Sequence, residues 1–413
     1  MQALARYPLT QWATHRLFRS RLHLDPQPVR LPSVLPTPVA LYLHIPFCES
    51  LCTYCSFHRQ LLDPALAKAY FQALRQQITA VAEAGWQVSQ VYIGGGTPTV
   101  LPQELASTLS LLTEHFGLVP ISVETNPNHL TTDVIEMLSA RDVSRLSIGV
   151  QSFDDDLLQK MNRRLAYGDS EAIQERLAWV NRRFPTVNVD LIFNLPGQSE
   201  RSLRRDLAIV NALQLSQVSW YPLMPNDSVQ GTLEASLGRW QRKTEWKGFK
   251  AIRRALSAQY QPSSAWCYNL GHQPQSDEYF VNSPDYLGLG SGSFSFIDRT
   301  LYASSFHIPE YIGHMQTRPL TMNAQQTFSD LEWMQYRLMM QLFALHVSDA
   351  PQADGWQHRL WQSELSALKT MRAIQPSDQG FEVTPLGQYL GLVLMREFFV
   401  AVNRLREQMS VSD

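Results

Sequence analysis

Short apolar segments alternate with amphipathic segments from residue 39 to about residue 230. The apolar segments are predicted to be strands at Ala40–Ile45, Gln90–Ile93, Ile121–Glu124, Arg145–Gly149, Val187–Phe193 and Gln217–Tyr221. The segments between them have apolar residues at helical spacing and are predicted to be helices at Pro64–Ala84, Pro102–Phe116, Thr132–Ala140, Asp154–Met161, Ser170–Arg183 and Glu200–Leu213. These βα repeats predict an α/β fold, with a parallel sheet curled into a partial (β/α)6 barrel. A flat, doubly wound sheet remains the alternative from the pattern alone.

The pattern divides the chain into four parts. Residues 1–38 form a basic, proline-rich arm with five arginines and one acidic residue, and 39–230 form the barrel. Residues 231–320 contain a helix predicted at Arg239–Ala258 and a glycine-serine segment, and we expect them to complete the active site. Residues 321–413 are predicted to be a mostly helical domain of winged-helix-like form. The arm fits a solvated extended tail best, and a basic arm over the active-site mouth or an organelle transit peptide are the alternatives.

Composition excludes several classes of protein. Lys plus Arg number 35 and Asp plus Glu number 37, so the overall charge does not indicate a nucleic-acid partner or a membrane surface. No uninterrupted apolar run reaches about 18 residues, so no membrane span is expected. The most apolar late segment, Leu390–Val402, is interrupted by Arg396 and Glu397 and is interpreted as a core helix. The four cysteines and the lack of a secretory signal fit a cytoplasmic protein, which we expect to be a monomer.

Polar and glycine-rich elements occur at the carboxyl ends of nearly all the predicted strands. In chain order they are Cys48, Gly94–Pro98, Glu124, Gln151 and Pro222, and Asp190 lies within the fifth strand. Because the carboxyl ends of parallel barrel strands meet on one rim, we expect the active site on that rim.

Three of the four cysteines, Cys48, Cys52 and Cys55, lie in one short run after the first strand. Three thiolates at this spacing can hold three irons of a four-iron, four-sulfur (4Fe-4S) cluster and leave the fourth iron open to a small molecule. Zinc held by the three thiolates and His58 is the alternative, although the sequence offers no second ligand pair. A disulfide is disfavoured because three close cysteines cannot all pair. Cys267 is interpreted as an inert core thiol.

Other rim residues each have a structural and a functional interpretation. Gly94–Pro98 lacks the Gly-Lys-Ser/Thr ending of a phosphate loop, and its exposed backbone suits the ammonium and carboxylate of an amino acid. Glu124 either caps a helix or accepts hydrogen bonds from a ligand. Asp190 is costly in an apolar strand unless it is paired, and Arg163 is the candidate partner in a structural salt bridge.

The run Tyr42-Leu-His-Ile-Pro-Phe-Cys48, the C-x3-C-x2-C spacing and Tyr54 before the last cysteine resemble radical S-adenosylmethionine (SAM) enzymes. From about Tyr42 to Tyr311 the chain is most similar to the oxygen-independent coproporphyrinogen III oxidase family, with its haem-chaperone and haem-degrading relatives. The resemblance implies one 4Fe-4S cluster on the three cysteines and one or two SAM molecules. It also implies that an electron from the cluster cleaves SAM to methionine and a 5′-deoxyadenosyl radical, with flavodoxin or ferredoxin as the reductant.

The resemblance also assigns residues to SAM. The expected SAM contacts are Tyr42, Tyr54, Gly95, Gly96, Thr97, Glu124, Gln151, Arg163, Asp190, Pro222 and Phe294. Tyr42, Gly95 and Glu124 are expected to serve a SAM bound to iron. Gln151, Arg163 and Asp190 are expected to serve a second SAM, which would be a methyl donor. No further catalytic residue is assigned.

Two departures from the family pattern narrow the expected reaction. Phe57 stands where the oxidase has a fourth cysteine, and Ser276–Val281 stands where the chaperone branch has a His-Asn-x-x-Tyr-Trp element. The remaining relatives imply radical methyl or methylene transfer to a haem or porphyrin, or anaerobic haem degradation. Oxidative decarboxylation of coproporphyrinogen III and a haem-chaperone role remain alternatives.

Histidines and aromatic residues offer further candidate contacts to a tetrapyrrole. His44 is interpreted as a packed core residue, whereas the candidate haem or porphyrin contacts are His58, His272 and His307. A flat apolar wall for a macrocycle is one interpretation, and simple core packing the other, for Trp220, Tyr221 and Trp266.

Overall fold

A computed structural model describes residues 22–411, apart from 33, 225, 272–280, 282, 284 and 350–354. Its centre is a set of six parallel strands, Val39–Ile45, Val88–Gly95, Ile121–Thr125, Val143–Gln151, Thr186–Phe193 and Gln217–Pro222. The helices that follow them in turn are Pro64–Glu83, Pro102–Phe116, Thr132–Ser139, Asp155–Lys160, Arg164–Tyr167, Ser170–Val180, Glu200–Leu213 and Asp227–Leu237. The six predicted strands and the six predicted helices are confirmed to within a few residues.

The six parallel strands lie side by side in chain order. A doubly wound sheet requires a point at which the strand order reverses, and these six strands have none. Right-handed crossovers between strands in simple order place all the helices on one face, as in a curled partial barrel. The predicted α/β partial barrel is therefore confirmed, and the doubly wound alternative is wrong.

Local sequence explains where the helices of the barrel begin. Asp63 accepts hydrogen bonds from the backbone N–H groups of Ala65 and Leu66, and proline occupies the first helical position. Ser199 and Ser202 form a reciprocal capping box at a later helix. Each such cap stabilises its helix by about 1 kcal/mol.

The glycine-serine segment extends the sheet beyond the first barrel strand. Tyr286–Leu289 pairs in parallel with Val39–Ile45. The next strands along this edge are antiparallel and span Phe294–Ile297, Thr300–Ala303 and Ala324–Thr327. At Gly288 an added Cβ would lie 2.0 Å from the carbonyl oxygen of Phe294, so only glycine permits this close approach. The segment thus builds the sheet edge next to the cysteine-bearing strand.

At the opposite edge, Cys267–Leu270 and Tyr260–Pro262 add two antiparallel strands. The helix predicted at Arg239–Ala258 is shorter than expected, Glu245–Leu256, and follows a 3₁₀ turn at Arg242–Thr244. A further helix, Ile308–Thr317, follows the glycine-serine strands.

The last part of the chain is mostly helical, as predicted. Its helices span Asp330–Phe343, Trp356–Thr370 and Pro385–Val411. They accompany a small antiparallel sheet of three strands, His346–Val347, Gly380–Val383 and Ile374–Ser377. Among the described residues, one helix, Pro385–Glu407, is long and apolar enough to cross a membrane, but 72% of its apolar window is buried inside the protein. That degree of burial is typical of a core helix.

The described part of the N-terminal arm packs on the body of the protein. Val29–Arg30 pairs antiparallel with Thr321–Met322, and Leu24 and Leu31 are buried. The interpretation of the arm as a solvated tail is therefore wrong for this part, because its leucines supply apolar surface that packs in the core. Residues 1–21, with four of the arm's five arginines, lie outside the described residues.

Candidate cluster and cofactor site

The three cysteines occupy a loop that follows the first barrel strand. The short strand Phe47–Cys48 pairs with Gln60–Leu61 and closes the base of the loop. The Arg59 guanidinium donates hydrogen bonds to the carbonyl oxygens of Cys52 and Cys55, at 2.9 and 2.7 Å. Two of the three thiols are buried and that of Cys55 is half-buried. The loop is thus held at its base and across its middle.

The donor set fits a cluster better than a single metal ion. Among the described residues, no group of three His, Cys, Asp or Glu side chains is placed to hold one ion. The imidazole Nε2 of His58, the fourth ligand of the zinc alternative, lies 3.2 Å from Ser291 Oγ. A four-iron cluster gives each thiolate its own iron. Burial raises the pKa of Cys48 to about 12, so its thiolate would need the positive charge that bound iron supplies.

A chain of polar side chains connects two of the thiols across the rim. Thr97 Oγ1 donates to Cys48 Sγ at 3.8 Å and accepts a bond from Asn126 Nδ2 at 2.8 Å. Arg163 donates to Asn126 Oδ1 at 2.9 Å and to Cys52 Sγ at 3.1 Å. Asn126 was not selected from the sequence, although it follows the third strand two residues after Glu124. The Asn126 amide donates to the Thr97 hydroxyl and accepts from the Arg163 guanidinium, so it links these two groups beside the cysteines.

Arg163 does not pair with Asp190, and the expected salt bridge is wrong. Arg163 instead donates hydrogen bonds to Cys52 Sγ, to Asn126 Oδ1 and to the carbonyl oxygen of Gly149. Its guanidinium carbon also lies 4.3 Å from the centre of the Tyr167 ring. Asp190 accepts hydrogen bonds from Ser147 and Asn188, both at 2.8 Å, inside the barrel. Polar residues on the inner faces of neighbouring strands satisfy the carboxylate without Arg163.

Glu124 joins the glycine-rich turn to the neighbouring strand. Its carboxylate accepts hydrogen bonds from the Tyr92 hydroxyl at 2.6 Å and from the Gly95 backbone N–H at 3.0 Å. These partners lie on the second strand, which does not support the helix-capping interpretation. Burial raises the pKa of Glu124 to about 7, and the two hydrogen bonds oppose the rise.

The raised pKa of Glu124 predicts a pH dependence of stability. Below pH 4.5 the carboxyl is protonated in both states, whereas between pH 4.5 and 7 the unfolded chain loses the proton before the folded protein does. The free energy of unfolding should therefore fall by roughly 2–3 kcal/mol across this window. Urea unfolding of wild type and Glu124→Gln at a series of pH values measures this. The buried carboxyl of Asp206, whose pKa burial also raises to about 7, acts in both proteins and cancels in the difference. A difference that is flat with pH would contradict the prediction.

Tyr42 and His44 form a hydrogen-bonded pair on the first strand. His44 Nε2 lies 2.8 Å from the carbonyl oxygen of His58, which can only accept, so Nε2 carries the proton. Nδ1 therefore accepts from the Tyr42 hydroxyl at 2.8 Å. Burial lowers the pKa of His44 to about 3, so the ring is neutral. The interpretation of His44 as a packed, hydrogen-bonded core residue agrees with this geometry.

A cavity of about 1150 Å³, open to solvent, lies at the carboxyl ends of the strands, and we call it the cysteine cavity. The structure brings to its wall eleven of the fourteen residues that the sequence selected: Cys48, Cys52, Tyr54, Cys55, Gly95, Gly96, Glu124, Gln151, Arg163, Asp190 and Pro222. Thr97 stands behind it and contacts Cys48 through its hydroxyl. The predicted rim position of the site therefore corresponds to a cavity that most of the selected residues line.

A second cavity, of about 1210 Å³, adjoins the first, and we call it the aromatic cavity. The remaining two selected residues, Tyr42 and Phe294, lie on its wall and not on that of the cysteine cavity. The residues shared by both walls are Phe57, Gly95, Glu124 and Phe399. A molecule in the aromatic cavity would thus lie directly beside one in the cysteine cavity.

The other candidate contacts are dispersed. Trp266 lines the aromatic cavity, Tyr221 lines the cysteine cavity, and Trp220 is buried in the core and lines neither. His58 packs against Gly292, and exposed His307 precedes the helix Ile308–Thr317. His272 and most of Ser276–Val281 lie outside the described residues.

The C-terminal helix contributes to the walls of both cavities, which the sequence did not indicate. Its Phe399 meets the ring of Phe57 edge-on at 6.3 Å, and Phe57 is 41% exposed despite this contact. Asn403 donates a hydrogen bond of 2.9 Å to Ser56 Oγ in the cysteine loop. The helical pattern was assigned to a separate domain, and no local signal in the sequence connects residue 403 to residue 56.

Replacing Gly96 by alanine should displace the cysteine loop. An added Cβ would lie 2.6 Å from the carbonyl oxygen of Phe47, and its two next nearest neighbours are also backbone atoms. We expect a loss of about 1–3 kcal/mol in the free energy of unfolding and a lower iron content after reconstitution. Gly231→Ala is the control, because nothing lies within 4 Å of that Cβ and alanine favours its helix. Equal stability and iron content in Gly96→Ala and wild type would contradict the prediction.

Comparison with known proteins identifies a matching family model and several relatives. Residues 42–209 match the family model of the radical SAM superfamily. Heme chaperone HemW of Bacillus subtilis is 29% identical over 285 residues, which cover 66% of this chain and 74% of HemW. Oxygen-independent coproporphyrinogen III oxidase of Bradyrhizobium diazoefficiens is 36% identical over 183 residues, which cover 41% of this chain and 40% of the oxidase.

A solved structure shares the fold over nearly the whole chain. Coproporphyrinogen III oxidase (HemN) from Escherichia coli, described as a radical SAM enzyme, matches with a TM-score of 0.73 and 22% identity, covering 95% of this chain and 93% of that one. Residues 42–209 are therefore a radical SAM domain, and the chain has homologues named HemW and oxygen-independent coproporphyrinogen III oxidase and shares the fold of HemN.

Proposed function

We propose that the protein binds one 4Fe-4S cluster through Cys48, Cys52 and Cys55 and acts on a haem or porphyrin by radical methyl or methylene transfer or by anaerobic degradation. The observation that carries the proposal is the common wall of the two cavities. The cysteine cavity has the thiols and polar groups that a cluster and SAM require, and the aromatic cavity has apolar walls for a macrocycle. Bound cluster and SAM would supply the electron and the radical chemistry at this junction.

The residues of the chain have separate tasks in this proposal. Glu124, Gly95 and Gly96 line the cavity where the polar groups of SAM would lie, and the Glu124 carboxylate is the acceptor there, while the N–H groups of Gly95 and Gly96 already donate to Glu124 and to the carbonyl oxygen of Ile45. Arg163 and Asn126 hold the cysteine loop against the barrel through the bonds described above. Phe57 and Phe399 separate the cofactor side from the substrate side.

The same site favours group transfer over decarboxylation. Phe57 takes the place of the fourth cysteine of the oxidase pattern, and it lines both cavities. A second SAM would be the methyl donor, and Gln151, Arg163 and Asp190, the residues expected to serve it, all line the cysteine cavity. Gln151 has a φ of 76°, a left-handed conformation that is strained for a residue with a side chain and is often found at functional sites.

Gln151→Ala tests the two-SAM form of the proposal. If Gln151 serves only the second SAM, the variant should cleave SAM reductively at the wild-type rate and lose group transfer by roughly tenfold or more, the loss expected for one polar contact. Gln214→Ala is a matched control, because Gln214 also has a positive φ, 49°, at an exposed helix end. A parallel fall of both activities, with the cluster intact, would place Gln151 in a single SAM pocket.

A haem-chaperone role is the second candidate. HemW relatives cover two thirds of this chain, more than the oxidase relatives cover. In that case haem would bind and be released unchanged.

We also propose a cytoplasmic location with flavodoxin or ferredoxin as the reductant.

Anaerobic incubation with haem or coproporphyrinogen III, together with SAM and dithionite, followed by product mass analysis, tests the proposal. A haem product heavier by a methyl or methylene unit, or an opened haem ring, supports it. Haem recovered intact supports the chaperone role and contradicts the proposal. Carbon dioxide released from coproporphyrinogen III would indicate the oxidase reaction.

A further inference from the structure

We propose that a groove on the outside of the barrel is a docking site for an acidic, amphipathic helix of a partner protein. The groove lies between the helices Glu200–Leu213 and Glu245–Leu256, and we call it the basic groove. It has a volume of about 2100 Å³ and is open to solvent. It shares no lining residue with the cysteine cavity or the aromatic cavity, so the inference does not depend on the proposed function.

The two helices present stripes of the same spacing to the basic groove. Positions i, i+4, i+7, i+8 and i+11 of the first stripe are Glu200, Arg204, Leu207, Ala208 and Asn211. The same positions of the second stripe are Trp246, Lys250, Arg253, Arg254 and Ser257. Residues at this spacing lie along one face of a helix, so the groove runs along both helices. The 14 residues of the first helix span about 21 Å, which suits a partner helix of similar length.

The floor of the basic groove is apolar and is formed partly by small side chains. Leu207 and Phe249 are buried beneath it, with 4% and 1% of their surface exposed. Ala208, Ala251 and Ala255 also line it and leave space between the two helices. A row of apolar side chains on a third helix would fill this space, as in the recognition of amphipathic helices by hydrophobic grooves.

The lining of the basic groove carries an excess of positive charge. Its cationic side chains are Arg204, Lys247, Lys250, Arg253 and Arg254. Glu200 is the one carboxylate among the described residues that line it. Glu200 pairs with Arg204 and with Lys247, both at 2.6 Å, and therefore does not balance the other three cations. Carboxylates beside the apolar stripe of a partner helix would complement this charge and favour its approach.

Contacts at both ends hold the basic groove in shape. The Lys247–Glu200 pair joins the two helices near their N-termini. Asn211 Nδ2 donates a hydrogen bond of 3.2 Å to the carbonyl oxygen of Ala255 and joins them near their C-termini. A groove that is formed before the partner arrives loses less entropy on binding, which favours a role in recognition.

Charge and apolarity together select the occupant. Residues 1–21 of the chain contain four arginines and neither Asp nor Glu, so the cations of the groove would repel this segment. A nucleic acid would use the cations through its phosphates but would gain nothing from the apolar floor. An acidic amphipathic helix uses both features, and the proposal commits to it.

Fluorescence anisotropy of three labelled peptides of about 14 residues tests the proposal with the reconstituted protein under anaerobic conditions. The first peptide has leucines at helical spacing and glutamates elsewhere. The second has the same composition in scrambled order, and the third has lysine in place of each glutamate. The first should bind at least about tenfold more tightly than the others, and its affinity should fall as the salt concentration rises. A single-stranded oligothymidylate is the competitor that represents nucleic acid.

Two variants remove separate features of the basic groove. Lys250→Ala/Arg254→Ala should weaken binding of the first peptide by about tenfold and reduce its salt dependence. Ala208→Phe fills the floor at an exposed helical position and should weaken binding without changing the salt dependence. Arg201→Ala/Arg205→Ala is the matched control, because it removes two exposed cations that lie on the first helix and do not line the groove. The control should bind with the wild-type affinity.

Several results would overturn the inference. Equal affinity for the first and the scrambled peptide would show that the groove attracts charge without recognising a helix. The absence of binding, or an unchanged affinity in both groove variants, would also contradict the inference, as would an equal loss in the Arg201→Ala/Arg205→Ala control. An oligothymidylate that binds more tightly than the first peptide, and loses affinity in Lys250→Ala/Arg254→Ala, would make the groove a nucleic-acid surface instead.

Discussion

Cys52→Ala should lose its cluster and, with it, reductive SAM cleavage to the background level. The change removes one of three thiolates and leaves the Arg163 guanidinium, 3.1 Å from the Cys52 sulfur, without its anionic partner. A cluster held by two thiolates is not expected to survive isolation, because each thiolate fixes one iron. Iron per chain after anaerobic reconstitution, about four in wild type, and 5′-deoxyadenosine formed with dithionite are the measurements.

Cys267→Ala is the matched control for this change. Cys267 is also buried, but it lies on the strand Cys267–Leu270 at the far edge of the sheet, and it lines neither cavity. The control should keep the iron content and cleavage rate of wild type. A Cys52→Ala protein with four irons per chain and wild-type cleavage would show that the cysteine assignment is wrong.

Arg163→Met should give the largest loss of stability among the rim variants. The substitution leaves Asn126 Oδ1 and the carbonyl oxygen of Gly149 without a buried donor, and each unsatisfied acceptor costs roughly 1–3 kcal/mol. Methionine relieves the burial of a charge, which offsets part of that cost. We expect the free energy of unfolding of the cluster-free protein to fall by about 2–4 kcal/mol in urea.

The neighbouring residue provides the control. The Arg164 side chain is 47% exposed and makes a long ion-pair contact of 4.0 Å with Asp155, so Arg164→Met should change stability by less than about 0.5 kcal/mol. If Arg163→Met unfolds at the wild-type free energy, the hydrogen-bond chain from Cys52 to Cys48 does not hold the loop.

The barrel could be predicted from the sequence because the signals for its strands, helices and loops are local. Each strand and helix shows its own period, and the cysteines and glycines lie within a few residues of strand ends. A further local signal is the spacing of polar residues on the barrel strands. They occupy every second position, as Arg145 and Ser147 do on one strand and Asn188 and Asp190 do on the next. The structure shows hydrogen bonds among these residues and Gln217 inside the barrel. This alternation would have assigned Asp190 to an inner-face network instead of an ion pair with Arg163.

The missing parts of the site depend on contacts between distant segments. Tyr286–Leu289 pairs with Val39–Ile45 across more than 240 residues of sequence, and the C-terminal helix reaches the cysteine loop through Asn403 and Ser56. Neither contact follows from periodicity, since many apolar segments could occupy the same edge or cover the same cavity. The aromatic cavity was therefore visible only in the folded protein.

The central claim is that the three cysteines hold a cluster whose open iron binds SAM beside a substrate cavity. The most direct measurement is the electron paramagnetic resonance spectrum of the reconstituted, dithionite-reduced protein with and without SAM, combined with 5′-deoxyadenosine analysis of the same samples. We expect a reduced-cluster signal that changes on addition of SAM, together with 5′-deoxyadenosine. A reduced four-iron signal that SAM leaves unchanged, with no 5′-deoxyadenosine formed, would contradict the claim.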